Sequence, residues 1–177
     1  MNLTYMFKGQ TMRKLHRSWG PLLLLALSLI GAGISIYLIS VHYENVPLLC
    51  STSGLIDCSR VLSSIYSVVP GTSVPVSVPG LLWCIVSATL AIAGLRVLQL
   101  QVRRRIQVAQ FAWSLLGMLT VLYLLYVEIV ILHTICAWCT ALHVIILVMF
   151  LTTIVQLQTP VDESEADIEE ALPRKAG

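Results

Sequence analysis

Charge is scarce in this sequence. Only 11% of its 177 residues are Asp, Glu, Lys or Arg and 57% are hydrophobic, whereas soluble domains carry about 25% charged residues. A soluble globule of this composition would precipitate. The sequence also lacks a glycine-rich phosphate loop and a basic patch with interleaved aromatic residues. We therefore expect neither a P-loop nucleotide site nor a nucleic-acid partner.

Long apolar runs are what the sequence has instead. A hydrocarbon core of about 30 Å is crossed by roughly 20 apolar residues in a helix. Four runs reach that length, at 22–41, 80–100, 106–132 and 136–157. Because only helices satisfy the backbone of such segments in lipid, we predict an all-α integral membrane protein built as a four-transmembrane-helix bundle.

Basic residues are distributed unevenly between the connections, and this sets the predicted orientation. Four of them precede the first span, and Arg103, Arg104 and Arg105 stand between the second and third spans. Arg60 is the only Lys or Arg between residues 42 and 79. Since cytoplasmic loops are enriched in Lys and Arg, we expect both termini in the cytoplasm.

The predicted organisation has three parts. Residues 1–20 form a cytoplasmic N-terminal segment, and residues 21–157 form the four-helix membrane domain with an outer loop at 42–79. Residues 158–177 form an acidic cytoplasmic tail that is expected to be disordered.

Four of the five cysteines share the outer side in this topology. Cys50 and Cys58 lie in the outer loop, and Cys136 and Cys139 form a C-x-x-C at the outer start of the fourth helix. That compartment is the oxidising one, where disulfides form and persist. Cys84 lies inside the second helix, where a packing role is expected.

The C-x-x-C pair is suited to redox chemistry at membrane depth. Its sulfurs lie about one helical turn apart, and a helix N-terminus stabilises a thiolate on the first cysteine, Cys136. Cys139 lies deeper on the same helical face, with His143 four residues further along. Glu128, near the outer end of the third helix, could relay protons or lean to the interface. This arrangement favours a lipid-soluble electron acceptor.

Other chemistries of the same cysteines remain open at this point. Haem attachment needs His directly after the second cysteine, where Thr140 stands. Zinc would need two further ligands, which Cys50 and Cys58 could supply. The cysteines could also form structural disulfides in a membrane protein without enzymatic activity.

The cysteine-bearing segments resemble a known family. Cys50, the run DCSRVLSS at 57–64, PGLLWC at 79–84 and CAWC at 136–139 are similar to the vitamin K epoxide reductases and their bacterial homologues. The disulfide-bond protein B family is the alternative quinone reductase, but its C-x-x-C lies in the first outer loop. Here the C-x-x-C comes last in the chain.

The resemblance implies a mechanism and a partner. Members are four-helix bundles around a quinone, capped by an outer loop with a short interfacial helix, here at 59–66. By this likeness Cys139 would reduce a quinone of the ubiquinone, menaquinone or vitamin K type, and Cys136 would resolve it. Cys58 would exchange with Cys136, and Cys50 would meet a thioredoxin-like redox protein on the outer side. The implied activity is thiol oxidation that supports disulfide-bond formation.

Two differences from the vertebrate members bear on which substrate is reduced. His143 stands where they have a quinone-facing Tyr, and Pro79 is nearest to the position of their Asn. The resemblance thus favours quinone reduction over epoxide reduction, with His143 and Glu128 as cofactor-binding candidates. The stretch containing Tyr126, Glu128 and His133 is similar to bacterial members. We expect a multi-pass protein of a bacterial inner membrane, with its active site facing the periplasm or the outside.

The predicted topology can be tested by labelling. A membrane-impermeant thiol reagent, added to intact cells after reduction, should modify Cys50 and Cys58, because the basic residues place their loop outside. Mass spectrometry of the two cysteine peptides measures the modification. Labelling that requires membrane rupture would reverse the orientation.

Overall fold

The computed structural model describes residues 3–44, 50, 56–97 and 99–158, with the backbone alone at 3–18 and 100. Its helices are α1 (Leu3–Glu44), α2 (Cys58–Leu62), α3 (Ser77–Arg96), α4 (Leu100–Tyr126) and α5 (Ala137–Gln158). A 3-10 turn (Ile65–Ser67) follows α2, and a π-helical turn (Val127–Ile131) extends α4.

Four helical segments are long and apolar enough to cross a membrane, namely Trp19–Glu44, Ser77–Arg96, Gln101–Ile131 and Ala137–Gln158. Large apolar side chains on them, such as Leu29, Leu82, Leu119 and Val155, point outward. Outward apolar surface of this extent suits lipid and not water. The prediction of an all-α four-helix membrane bundle is confirmed.

The span boundaries differ in detail from the sequence-based ones. The second helix ends at Arg96 and not near residue 100, because Val97 takes extended backbone angles (φ −82°, ψ 123°). The third begins at Gln101, five residues before its predicted start at 106. The first span, Trp19–Glu44, is part of a helix that begins at Leu3. Residues 159–177 lie outside the described residues.

The helices run antiparallel to their chain neighbours, which gives the bundle two ends. We call the end that holds Cys58 and Cys136 the cysteine end, and the end that holds Arg103, Arg104 and Arg105 the arginine end.

Small residues form the seam between α1 and α3. Ser28 and Ser35 on α1 are buried, as are Cys84 and Ser87 on α3. A Cβ built on Gly31 would lie 2.9 Å from the Cys84 sulfur. Small side chains at three- and four-residue spacing let helix backbones approach closely, which is a main source of helix association in lipid.

Both polar and apolar contacts join helices inside the bundle. The Ser114 and Thr153 hydroxyls of α4 and α5 are hydrogen-bonded at 2.9 Å. Leu24, Ala91 and Met149, which lie on α1, α3 and α5, form a buried apolar cluster. The hydrogen bond therefore joins α4 to α5, and the apolar cluster joins α1, α3 and α5.

Two tryptophans join α3 to α4. The Trp83 indole N–H donates to the Trp113 carbonyl, and the Trp113 indole N–H donates to the Trp83 carbonyl, each at 3.2 Å. The Trp83 ring fits because α4 carries Gly117 opposite it. A Cβ at Gly117 would lie 2.6 Å from Trp83 Cζ2.

Replacing this glycine should therefore destabilise the bundle. Gly117→Ala should lower the free energy of unfolding by about 1–3 kcal/mol, because the added methyl forces the Trp83 ring out of its hydrogen-bonded position. Thermal unfolding in detergent, followed by tryptophan fluorescence, measures the change.

Gly33→Ala is the matched control, since a Cβ there meets no atom within 4 Å. It should be neutral or stabilise the helix by up to about 1 kcal/mol through helix propensity. Equal stabilities of the two variants would contradict the close contact.

Candidate active site

A short β-bridge joins the segment before α2 to the C-x-x-C. Ile56 pairs in parallel with Ile135, and the Asp57 N–H donates to the Ile135 carbonyl at 3.2 Å. Cys58 follows the bridge by two residues on one segment and Cys136 by one residue on the other. The bridge therefore brings a loop cysteine beside the helix-end cysteines.

Asp57 fixes the start of α2 and with it the position of Cys58. Its Oδ1 accepts hydrogen bonds from the Ser59 hydroxyl at 2.6 Å and from the Arg60 N–H at 3.1 Å. These bonds, that from the Ser59 side chain first, lower the pKa of the Asp57 carboxyl. Asp57 is thus a charged N-cap at neutral pH.

The four cysteines predicted as catalytic lie around one buried cluster. Cys58 and Cys136 are both 0% exposed and form its core with Val61. Cys50 and Cys139 pack against that core. Cys50 and Cys58 form a disulfide, whereas Cys136 and Cys139 are free thiols.

An aromatic contact orients the C-x-x-C. The ring of Trp138, which lies between the two cysteines in sequence, contacts the ring of Tyr37 on α1 in a tilted arrangement, with ring centroids 4.9 Å apart. This contact ties the start of α5 to α1.

Cys136 is held as the more acidic thiol of the pair. A hydrogen bond from the Cys139 side chain lowers the pKa of Cys136, and this outweighs the burial of the sulfur. The Cys139 N–H in the first turn of α5 also points at the Cys136 sulfur, at 3.3 Å. Thiolate character at a helix N-terminus is typical of exchanging cysteines.

Cys139 opens into a cavity of about 40 Å³ between α2, α4 and the start of α5. Glu128 also lines this cavity, as do residues of the segment that includes α2 and the 3-10 turn. The remaining lining residues are Val61, Leu62, Ser64, Tyr66, Ser67, Val76, Leu124, Val127 and Leu132. An apolar cavity with a few convergent polar groups is typical of small-molecule sites.

The two predicted cofactor-binding residues are placed differently. Glu128 is 3% exposed and reaches the cavity from the π-helical turn. His143 is buried on α5 one turn beyond Cys139, but it does not line the cavity. Its Nδ1 has no hydrogen-bond partner among the described residues.

Several contacts at the site have no clear signal in the sequence. Isolated bridges such as Ile56–Ile135 have no periodicity to detect. The roles of Val61 and Tyr66 as cavity walls follow from how the loop folds over the bundle. Asp57 could have been identified, because Asp before a short run of helix formers is an N-cap pattern.

The zinc alternative finds no ligand set in the described part of the chain. There, no three side chains of His, Cys, Asp or Glu converge closely enough to hold a metal ion.

The fold and the cysteine cluster identify the class of protein. It is a four-helix membrane protein with two cysteine pairs at one end of its bundle. The family model described as the vitamin K epoxide reductase family matches residues 22–154. The chain belongs to the vitamin K epoxide reductase family, and it is accordingly a membrane oxidoreductase. A comparison with curated proteins found no match.

The acidity of Cys136 can be tested by titration. In a variant with Cys50 and Cys58 replaced by Ser, the ultraviolet absorbance of thiolate should appear at a pH below that of an ordinary cysteine, because the Cys139 hydrogen bond lowers the pKa of Cys136. Adding Cys139→Ala should move the transition to higher pH.

Cys84→Ala is the control, because Cys84 packs against Gly31 away from this cluster. It should leave the low-pH transition in place. If Cys139→Ala left the pH of the transition unchanged, the Cys139 hydrogen bond could not be the cause of the lowered pKa of Cys136.

Proposed function

We propose that this protein is a thiol oxidase that passes electrons from a thioredoxin-like client through Cys50 and Cys58 to Cys136 and Cys139, and then to a quinone, in support of disulfide-bond formation. The observation that carries the proposal is the single buried cluster in which a disulfide and a free dithiol pack together.

The burial of the four sulfurs supports this order of transfer. Cys58 and Cys136 are fully buried, so a protein client cannot reach either of them directly. Cys50 is partly exposed and is the member that a client thiol would attack. Cys58 would then be released to exchange with Cys136, which packs in the same cluster.

Energetics give the relay its direction. Exchange between dithiols of similar potential is nearly thermoneutral, with about 30 mV worth about 1.4 kcal/mol for two electrons. A respiratory quinone is a stronger oxidant than such dithiols and would draw electrons forward. The bound quinone supplies this redox chemistry, and the protein supplies orientation and exclusion of water.

The residues around Cys139 fit a quinone head group chemically. Glu128 and Tyr66 offer polar contacts on otherwise apolar walls, and the Glu128 Oε2 is buried with no hydrogen-bond partner in the described structure. One water needs about 10–15 Å³, so a cavity of about 40 Å³ holds a few waters but no quinone ring. Entry therefore requires α2 and the 3-10 turn to move away from α4.

His143 is proposed as a further contact of the quinone in that widened state. Its buried Nδ1 lacks a partner among the described residues, and it lies one turn from Cys139. Ubiquinone, menaquinone and vitamin K type quinones would all offer it a carbonyl oxygen. We place the cysteine end at the periplasmic or outer face of a bacterial inner membrane.

Structural disulfides and a disulfide-bond protein B-like quinone reductase are the alternative functions. A purely structural role gives no reason for two reduced cysteines to be buried against an existing disulfide. The family match covers residues 22–154, most of the bundle, and supports the vitamin K epoxide reductase type over the disulfide-bond protein B type.

The relay can be separated from a bracing disulfide with two substrates. With Cys50 and Cys58 both replaced by Ala, a small dithiol should still be oxidised in the presence of quinone, because it can reach Cys136 once the loop moves. A reduced thioredoxin-fold protein should be oxidised no faster than in a control without enzyme. Thiol loss and quinol formation are measured together.

Cys84→Ala should oxidise both substrates normally, since Cys84 is remote from the cluster. Cys50→Ala should accumulate a Cys58–Cys136 mixed disulfide, identified by mass spectrometry. Normal oxidation of the protein substrate by the double variant would exclude the relay.

A further inference from the structure

Glu128 is a buried carboxyl that lines the same cavity as the Cys139 thiol. It lies within hydrogen-bonding reach of the Cys139 side chain and of the Cys136 backbone N–H. Its second oxygen, Oε2, is buried with no hydrogen-bond partner in the described residues. A carboxyl in this position can exchange a proton with Cys139 and still present a free oxygen to the cavity.

The backbone around Glu128 is built to aim it there. Residues Val127–Ile131 form a π-helical turn, a feature frequent at functional sites. The Thr134 N–H donates to the Glu128 carbonyl at 3.0 Å, and the Leu132 N–H donates to the Val127 carbonyl at 2.9 Å. These bonds close the end of α4 over the C-x-x-C.

The proposed reaction balances with one proton from the Cys139 thiol and one from the solvent at the cysteine end. The Cys136 thiolate and the Cys139 thiol form one S–S bond as the Cys139 S–H bond breaks, which releases two electrons and one proton. Reduction of a quinone to a quinol takes up these two electrons, this proton and a second proton, which replaces the one that Cys136 released to the same solvent when it ionised. What the site needs is a group that carries a proton from sulfur to oxygen.

Few groups at the cavity can do this. The Ser64 and Ser67 hydroxyls donate to the carbonyls of Val61 and Ser64, so their protons are committed to the backbone. Tyr66 also lines the cavity, but its phenol hydroxyl is a weak base and a poor acceptor for a thiol proton. Glu128 is the one carboxyl among the lining residues.

We infer that Glu128 is a catalytic base that takes the proton of the Cys139 thiol and passes it to an oxygen of the quinone, so that no proton of quinone reduction comes from the arginine end. The inference rests on the proposed function. It gives Glu128 a chemical role beyond that of lining the site.

The first test compares single turnovers of the reduced protein with a short-chain ubiquinone analogue. Glu128→Gln keeps the shape of the side chain but cannot accept a proton, and it should slow formation of the Cys136–Cys139 disulfide by about 10²- to 10⁴-fold at neutral pH. Its rate should rise with pH, because hydroxide must then remove the Cys139 proton. Glu128→Asp should restore part of the rate.

Quinone affinity is the readout that separates a base from a binding contact. Quenching of tryptophan fluorescence by the same analogue should be nearly unchanged in Glu128→Gln. Ser114→Ala, which also removes a buried polar group from α4, should have the rate and pH profile of the native protein. The assignment of Glu128 as the base would be overturned if Glu128→Gln formed the disulfide at the native rate. It would also be overturned if the variant were slower but kept the pH profile of the native protein.

The second test follows protons in proteoliposomes and uses the native protein. A reduced thioredoxin-fold protein outside the vesicles can be oxidised only by molecules whose cysteine end faces outward. A pH-sensitive dye trapped inside then reports on the arginine end. The inside pH should stay constant while external thiols are oxidised.

Alkalinisation inside the vesicles in step with thiol oxidation would mean that protons cross the bundle, and it would overturn the inference. Failure of the proposed function is distinguishable. In that case the native protein would form no Cys136–Cys139 disulfide with any quinone, whatever residue stands at 128.

Discussion

One backbone hydrogen bond, from the Asp57 N–H to the Ile135 carbonyl, underlies the arrangement of the cysteine end. It joins a loop segment to the C-x-x-C, and the two segments are almost 80 residues apart in sequence. Because Cys58 and Cys136 follow directly on these two segments, the bond sets their burial in one cluster. Closing so long a connection costs conformational entropy, which the burial of Cys58, Val61 and Cys136 offsets.

Lipid explains why the rest of the bundle is built from small and hydroxylated residues. Lipid chains are as apolar as leucine, so hydrophobic burial gives little drive for helices to associate, and close packing must supply it. The seam with Gly31 opposite Cys84 does so between α1 and α3. Between α4 and α5 the Ser114–Thr153 hydrogen bond serves the same purpose. The bundle is therefore held firmly away from the cysteine end, where the proposed quinone site must widen.

The regular part of this fold could be predicted from the sequence, because helices in lipid follow from run length and apolarity alone. The four spans were found within a few residues, and the error at Arg96 arose because an apolar run continues past the end of the helix. The irregular part could not. The Ile56–Ile135 bridge, the π-helical turn at Glu128 and the cavity wall from Tyr66 depend on contacts between distant segments. That the four cysteines and Glu128 take part in the reaction stays a prediction, and the structure places them around one buried cluster and the cavity beside it.

Irregular backbone is concentrated at the cysteine end. The π-helical turn ends at Ile131, and two residues later His133 adopts a φ of 52°, in the left-handed region that residues other than Gly rarely enter. Such conformations persist only where the surrounding structure enforces them. Here the Thr134 N–H bond to the Glu128 carbonyl and the bridge at Ile135 hold the strained residue on either side. A regular continuation of α4 would carry the C-x-x-C away from Glu128, so the turn at His133 is what allows the Glu128 carboxyl and the Cys139 thiol to line one cavity.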